Sequence, residues 1–254
     1  MAVMGLLRLL EVLGPLRKQE ELVEVVRGRL RSLGHRCDRI TSLLARARRQ
    51  AATILAVTSV HLLPLLLAAQ RTTRVELMTS IAVAFARSPM LLANIGHDLN
   101  AASRGRFILG LGSQIKPHIT RRFNMPWSNP APRMREYVLA LRAIWASWHD
   151  GAPLAFNGKF YSHTLMTPMF SPTNNDFGAP RVFLAAVGPH MTEVAGEVCD
   201  GVIVHAFTTE KYLRETTLPA LARGMASSGR KREDFEISYP VFVVTGHNEA
   251  EMAA

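Results

Sequence analysis

Cysteine is scarce: Cys37 and Cys199 are the two in 254 residues. That is too few for a disulfide framework, so a reducing, cytoplasmic setting is the expectation. The nine histidines include no HExxH pair, and with the cysteines far apart no metal is expected. No GxSxG elbow and no GxxxxGK[ST] loop occurs, which removes the commonest hydrolase and nucleotidase signals. Arg8 and Glu11 interrupt the first apolar run, unlike the core of a secretory signal. Aromatic residues are absent from the start of the chain: the first is Phe85, although the sequence holds 3 Trp, 4 Tyr and 11 Phe.

What the chain does have is apolar mass. With 48% hydrophobic and 20% charged residues, this length buries a sizeable core, and disorder is excluded. A formal net charge of +10 points at first to a polyanionic partner. The excess is local, however: Met1 to Leu62 carries eleven Arg or Lys against five Asp or Glu, a net of +6. No nucleic-acid partner is therefore expected. Residues 51–69 carry no charge and follow Arg46-Ala-Arg48-Arg49, the pattern of a membrane span with a basic anchor. His61 and Pro64 fall in the middle of that run, and β-branched residues fill only its first half. A strand, a turn and then a helix over LLLAAQ fit better, and no membrane association is expected.

From Arg71 onward strand and helix patterns alternate. RVELMTSIAVAF (74–85) reads as one buried strand, and the next segment reads as a helix over 88–103 with Ser88 as N-cap and Pro89 at its first position. RFILGLG (106–112) predicts another strand. Met134, Tyr137, Val138, Leu141, Ile144, Trp145 and Trp148 recur three and four apart, the stripe of a packed helix over 132–148. Residues 151–180 form a long connection rich in Gly, Pro and Asn, with FNGKFYS as a hairpin. Strands follow at 181–188, 200–207 and 235–246, separated by helices opened by Pro189 and closed by Gly229. This alternation predicts a parallel sheet, open or closed into a (β/α) barrel.

Two glycine-containing strand ends are candidate ligand sites. Gly110-Leu111-Gly112-Ser113-Gln114 lets backbone approach a bound group, but Ile115 stands where a dinucleotide fingerprint needs its third glycine. Val187-Gly188-Pro189 opens a helix whose free N–H groups suit a phosphate, while an ordinary tight turn explains it as well. His118, His190 and His205 fall at or just past strand ends, where a barrel keeps its chemistry.

Taken together, TSIAVAFARSP, GRFILGLGSQIKPHI, PRMREYVLALRAIW and VFLAAVGPHMTEVAGEVCDGVIVHAF resemble the luciferase-like monooxygenase superfamily. The likeness is to its branch of deazaflavin (coenzyme F-420)-dependent oxidoreductases of actinobacterial type. The resemblance implies an α/β fold, a TIM-like (β/α)8 barrel with the cofactor across the C-terminal ends of the strands. By position, Ser80 and Ile81 would hold a non-prolyl cis peptide behind the ring. Gly112, Ser113 and Gln114 would contact the cofactor, and Val187, Gly188 and Pro189 would bind its phosphate. Residues 205–208 would line the substrate mouth, with His118 or His205 as proton donor.

The implied reaction is hydride transfer between reduced coenzyme F-420 and a small organic substrate. An FMN-dependent monooxygenase on the same scaffold and an inactive or basic binding protein are the alternatives, and a homodimer stays open. The likeness covers about Leu63 to Gly246. Residues 1–62 read as an atypical basic segment, and 63–254 as the barrel domain. A barrel incomplete at both ends is the expectation, with its last βα unit missing.

Overall fold

The computed structural model describes residues 62–240 apart from 174 and 175. The chain divides into the units Met1–Arg49 and Gln50–Ala254, and every described residue belongs to the second. The expected strand over the first half of 51–69 lies outside the described residues, as do the basic run before it and everything after residue 240.

The expected helix over LLLAAQ is α1 (Leu62–Arg71). Among the described residues no helix is long and apolar enough to cross a membrane. Two short strands, β1 (Leu77–Met78) and β2 (Ala82–Val83), precede α2 (Pro89–Ala102), whose N-cap Ser88 accepts the Leu91 N–H. After β3 (Phe107–Gly112) come α3 (Pro130–His149) and a two-stranded hairpin, β4 (Phe156–Asn157) with β5 (Ser162–His163). The second half alternates β6 (Arg181–Ala186), α4 (Pro189–Val198), β7 (Gly201–Val204), α5 (Glu210–Tyr212), α6 (Leu218–Ser228) and β8 (Glu236–Ser238).

The main sheet is parallel throughout, in the order β1-β3-β6-β7-β8, with β2 also on β3. Neighbours in sequence are neighbours in space, and helices cover one face: the sheet is a half-barrel of the expected TIM-like kind.

Alternation along the strands separates two faces. Phe107, Leu109 and Leu111 of β3, Val182 and Leu184 of β6, and Val202 and Val204 of β7 pack under the helices in the main core. Met78, Ile108, Phe183 and Ile203 form a second, smaller cluster on the concave face. Every member of the tryptophan stripe on α3 is buried, and the Trp145 indole donates to the Ala93 carbonyl of α2 at 3.1 Å.

Asp200, just before β7, bolts the strand starts together. Its carboxylate accepts from Val182 N–H (2.8 Å), Arg142 (2.9 Å) and Arg230 (3.4 Å), so one side chain links β6, β7, α3 and the turn after α6.

Two expected elements are broken in the structure. The single strand over 74–85 is split into β1 and β2, because residues 79–81 lean over β3 between them. A Cβ on Gly110 would lie 1.8 Å from the Thr79 carbonyl oxygen, and one on Gly112 would lie 2.1 Å from Ile81 Cδ1. The two glycines therefore make room for this crossing. The helix expected over 211–229 is interrupted by a π-helical turn, Leu213–Thr217. Pro219 has no N–H to give the Glu215 carbonyl, and the ladder widens just ahead of it. The helix ends as expected at Gly229, in the left-handed conformation (φ 69°).

Candidate functional site at the strand C-termini

The strand registers bring the candidate residues to one rim. Val83 pairs with Gly112, Leu111 with Leu184, and Ala186 with Val204. Ser113, Val187 and His205 thus follow directly on the ends of three adjacent strands, which span roughly 10 Å at the usual strand spacing. The Ser80–Ile81 peptide bond is cis, and the Ile81 side chain lies against Gly112 beside the concave-face cluster. Thr79, fully buried, donates its hydroxyl to the Gly110 carbonyl at 2.8 Å and holds this crossing in place.

After β3 the backbone turns sharply. Gln114 has φ 60°, its side-chain oxygen accepts its neighbour's N–H at 3.1 Å, and Ser113 donates to the Gln114 carbonyl at 3.1 Å. His118 begins the next helical turn, and its Nδ1 is buried without a hydrogen-bond partner among the described residues.

On the other side of the rim, Gly188 is the N-cap of α4, with no side-chain cap and Pro189 at the first position. The N–H groups of His190 and Met191 therefore have no intrahelical acceptor. A Cβ on Gly188 would meet nothing within 4 Å. Buried Thr192 donates back to the Gly188 carbonyl at 3.0 Å, and the Tyr212 hydroxyl donates to the Val187 carbonyl at 3.1 Å. His205 is exposed, and its Nδ1 accepts the Phe207 N–H at 3.2 Å. In the neutral ring this leaves the proton on Nε2. No hydrogen bond or ring contact joins His118 to His205.

Thr79, Thr192 and Tyr212 were not singled out from the sequence. Thr192, four residues after Gly188 on the same helix, carried a findable signal. The other two depend on partners 31 and 25 residues away. Cys199 is excluded as a nucleophile, because burial pushes its thiol up to about 12. Among the described residues no group of three or more His, Cys, Asp or Glu could hold a metal ion.

The luciferase-like monooxygenase family model matches residues 42–254. The chain belongs to the luciferase-like monooxygenase family. An uncharacterized protein of Mycobacterium tuberculosis is 59% identical over 192 residues, 76% of this chain and 56% of that protein. The F420-dependent glucose-6-phosphate dehydrogenase of Beutenbergia cavernae is 33% identical over 174 residues, 67% of this chain and 49% of that one. The structure of the coenzyme F420-dependent tetrahydromethanopterin reductase from Methanopyrus kandleri shares the fold, with a TM-score of 0.58 at 22% identity over 69% of this chain and 52% of that one. The chain spans about half the length of the curated relatives it matches.

In this luciferase-like chain a cavity of about 200 Å³ lies on the concave face, lined by residues such as Glu76, Met78, Phe183, Glu236 and, past the end of β8, Tyr239.

A separate histidine group sits on the helical side. His149 ends α3 with its ring centre 5.7 Å from that of His97, and its Nε2, like that of His163 on β5, is buried with no hydrogen-bond partner among the described residues. Burial, reinforced by His97 and opposed by Asp150, holds the His149 imidazole below its ordinary value, and burial does the same at His163. The folded chain thus favours the neutral rings. Above the ordinary pKa of about 6.5 neither state takes up protons there. Below it the unfolded chain does so first, so stability falls as pH drops from about 6.5 toward 5. Thermal unfolding followed from pH 7.5 to 5 is expected to show a falling Tm, with a shallower slope in His149→Gln. An unchanged slope in that variant would contradict the assignment.

Proposed function

We propose that this chain is a coenzyme F-420-dependent oxidoreductase acting on a small organic substrate. The observation that carries this reading is the rim itself: the Ile81–Gly112 wall on one side and, on the other, a capless helix start with open space at Gly188. The names of the F420-dependent relatives support the same reading. The residues present fit the cofactor. The His190 and Met191 N–H groups, which have no acceptor among the described residues, are donors for its phosphate, Gly188 leaves room for close approach, and the concave face beside Ile81 is apolar.

When bound, the deazaflavin supplies the hydride chemistry. Val187, Gly188 and Pro189 would hold its phosphate end, and Ser80, Ile81, Gly112, Ser113 and Gln114 would hold its ring system. His205, whose Nε2 has no hydrogen-bond partner among the described residues, and His118 are the groups we assign to give or take a proton of the substrate. Phe207, exposed beside His205 with ring centroids 5.5 Å apart, is an apolar wall of the substrate mouth. Binding of coenzyme F-420 followed by the deazaflavin's fluorescence tests the reading, with FMN as comparator.

A further inference from the structure

The guanidinium of Arg133 touches the turn after β2, close behind Ser80 and Ile81, and the far end of the loop after β3 that begins at Ser113 and Gln114. Arg133 stands in the first turn of α3 and is 8% exposed. Its Nε donates to the Tyr161 hydroxyl at 2.8 Å and its Nη1 to the Pro126 carbonyl at 2.8 Å. The guanidinium lies 4.4 Å from the centre of the Phe85 ring, and Phe85 meets Trp127 edge to face at 5.9 Å. Phe85 closes the turn that follows β2, four residues beyond Ile81. Pro126 and Trp127 end the loop that begins at Ser113 and Gln114.

The third partner, Tyr161, belongs to the hairpin of the long connection. That hairpin is held to α3 independently. The Glu136 carboxylate accepts the N–H groups of Lys159 (2.9 Å), Phe160 (2.6 Å) and Tyr161 (2.6 Å). Gly158 leaves the space this carboxylate fills, since a Cβ there would lie 2.1 Å from Glu136 Oε1. The Tyr161 ring also packs edge to face on Tyr137 at 5.2 Å.

Among the described residues Arg133 has no carboxylate partner. A buried cation held by a phenol, a carbonyl and ring faces is geometrically demanding: each neighbour must stay in place for the charge to remain solvated. The same demand fixes the neighbours.

We propose that Arg133 is a positioning residue for the rim, transmitting the fixed hairpin to the loops after β2 and β3 through its contacts with Tyr161, Pro126 and Phe85. The proposal rests on the coenzyme F-420 reading for its cofactor readout. Loss of the guanidinium frees both loops together, whereas loss of the Tyr161 hydroxyl frees only the link to the hairpin.

The test compares the full-length chain with Arg133→Met, Arg133→Lys and Tyr161→Phe, each first shown to melt cooperatively. Arg133→Met is expected to raise the Kd for coenzyme F-420 about tenfold. Arg133→Lys, which keeps a cation over Phe85 and one hydrogen bond, recovers part of that loss, and Tyr161→Phe gives a smaller rise in the same direction. Acrylamide quenching of tryptophan fluorescence is expected to increase in Arg133→Met and not in Arg133→Met/Trp127→Phe, because Trp145 and Trp148 are buried in the core. A folded Arg133→Met with wild-type Kd and wild-type quenching overturns the proposal. If Arg133→Met does not fold, Tyr161→Phe carries the test, and a wild-type Kd there overturns it. A wild-type chain that binds no coenzyme F-420 defeats the cofactor reading instead, and the quenching comparison then decides whether Arg133 pins the loops.

Discussion

Gly110→Ala is expected to destabilise the chain by about 3 kcal/mol, or to prevent folding, because the added methyl group meets backbone. Its Cβ would lie 1.8 Å from the Thr79 carbonyl oxygen and 3.0 Å from Ile203 Cδ1. The Thr79 oxygen cannot retreat without moving β1 off β3 and breaking the Thr79 hydroxyl bond to the Gly110 carbonyl. In thermal unfolding this corresponds to a loss of about 6–12 °C. Gly112→Ala is the informative control. There the clash is with Ile81 Cδ1 at 2.1 Å, the end of a side chain that can rotate, so a smaller loss is expected. Equal melting temperatures for the two variants would show that the lean of residues 79–81 over β3 does not set the requirement at Gly110.

The second large effect falls on binding and spares the fold. Gly188→Val places a branched side chain where the free chain has nothing within 4 Å. Its backbone, φ −75° and ψ 154°, is one valine adopts readily. The folded chain therefore loses only about 1 kcal/mol, from the weaker helix cap. The valine stands in front of the His190 and Met191 N–H groups, and affinity for coenzyme F-420 is expected to fall at least tenfold, about 1.4 kcal/mol. Melting temperature and Kd measured on the same preparation separate the two effects. An unchanged Kd would mean that the phosphate does not approach α4.

The contrast between these glycines shows what could be read in the sequence and what could not. Local chemistry was legible. Ser88 before Pro89 marked the start of α2, the apolar stripe from Met134 to Trp148 marked α3, and FNGKFYS marked the β4–β5 hairpin. The alternation of strands and helices was enough for a parallel sheet, and the family resemblance supplied its curling toward a barrel. Non-local causes were hidden. RVELMTSIAVAF has nothing in its own pattern to break it, because the space that lets residues 79–81 lean over β3 is provided at Gly110 and Gly112.

Glu136 and Arg133 fall outside the apolar stripe of α3, and nothing local singles them out, since their partners lie 23 to 28 residues on, in the hairpin. The glycine pair of β3 was read as a place for a ligand to approach. In the structure both glycines first serve the neighbouring strand. Of the three candidate glycines, Gly188 is the one with open space in front of it.

The measurement that tests the central claim most directly is a titration of the folded, full-length chain with coenzyme F-420 and, separately, with FMN, each followed by cofactor fluorescence. The account predicts saturable, stoichiometric binding of coenzyme F-420, at least tenfold tighter than that of FMN. Tighter binding of FMN, or no binding of coenzyme F-420 by a chain that unfolds cooperatively, would contradict it.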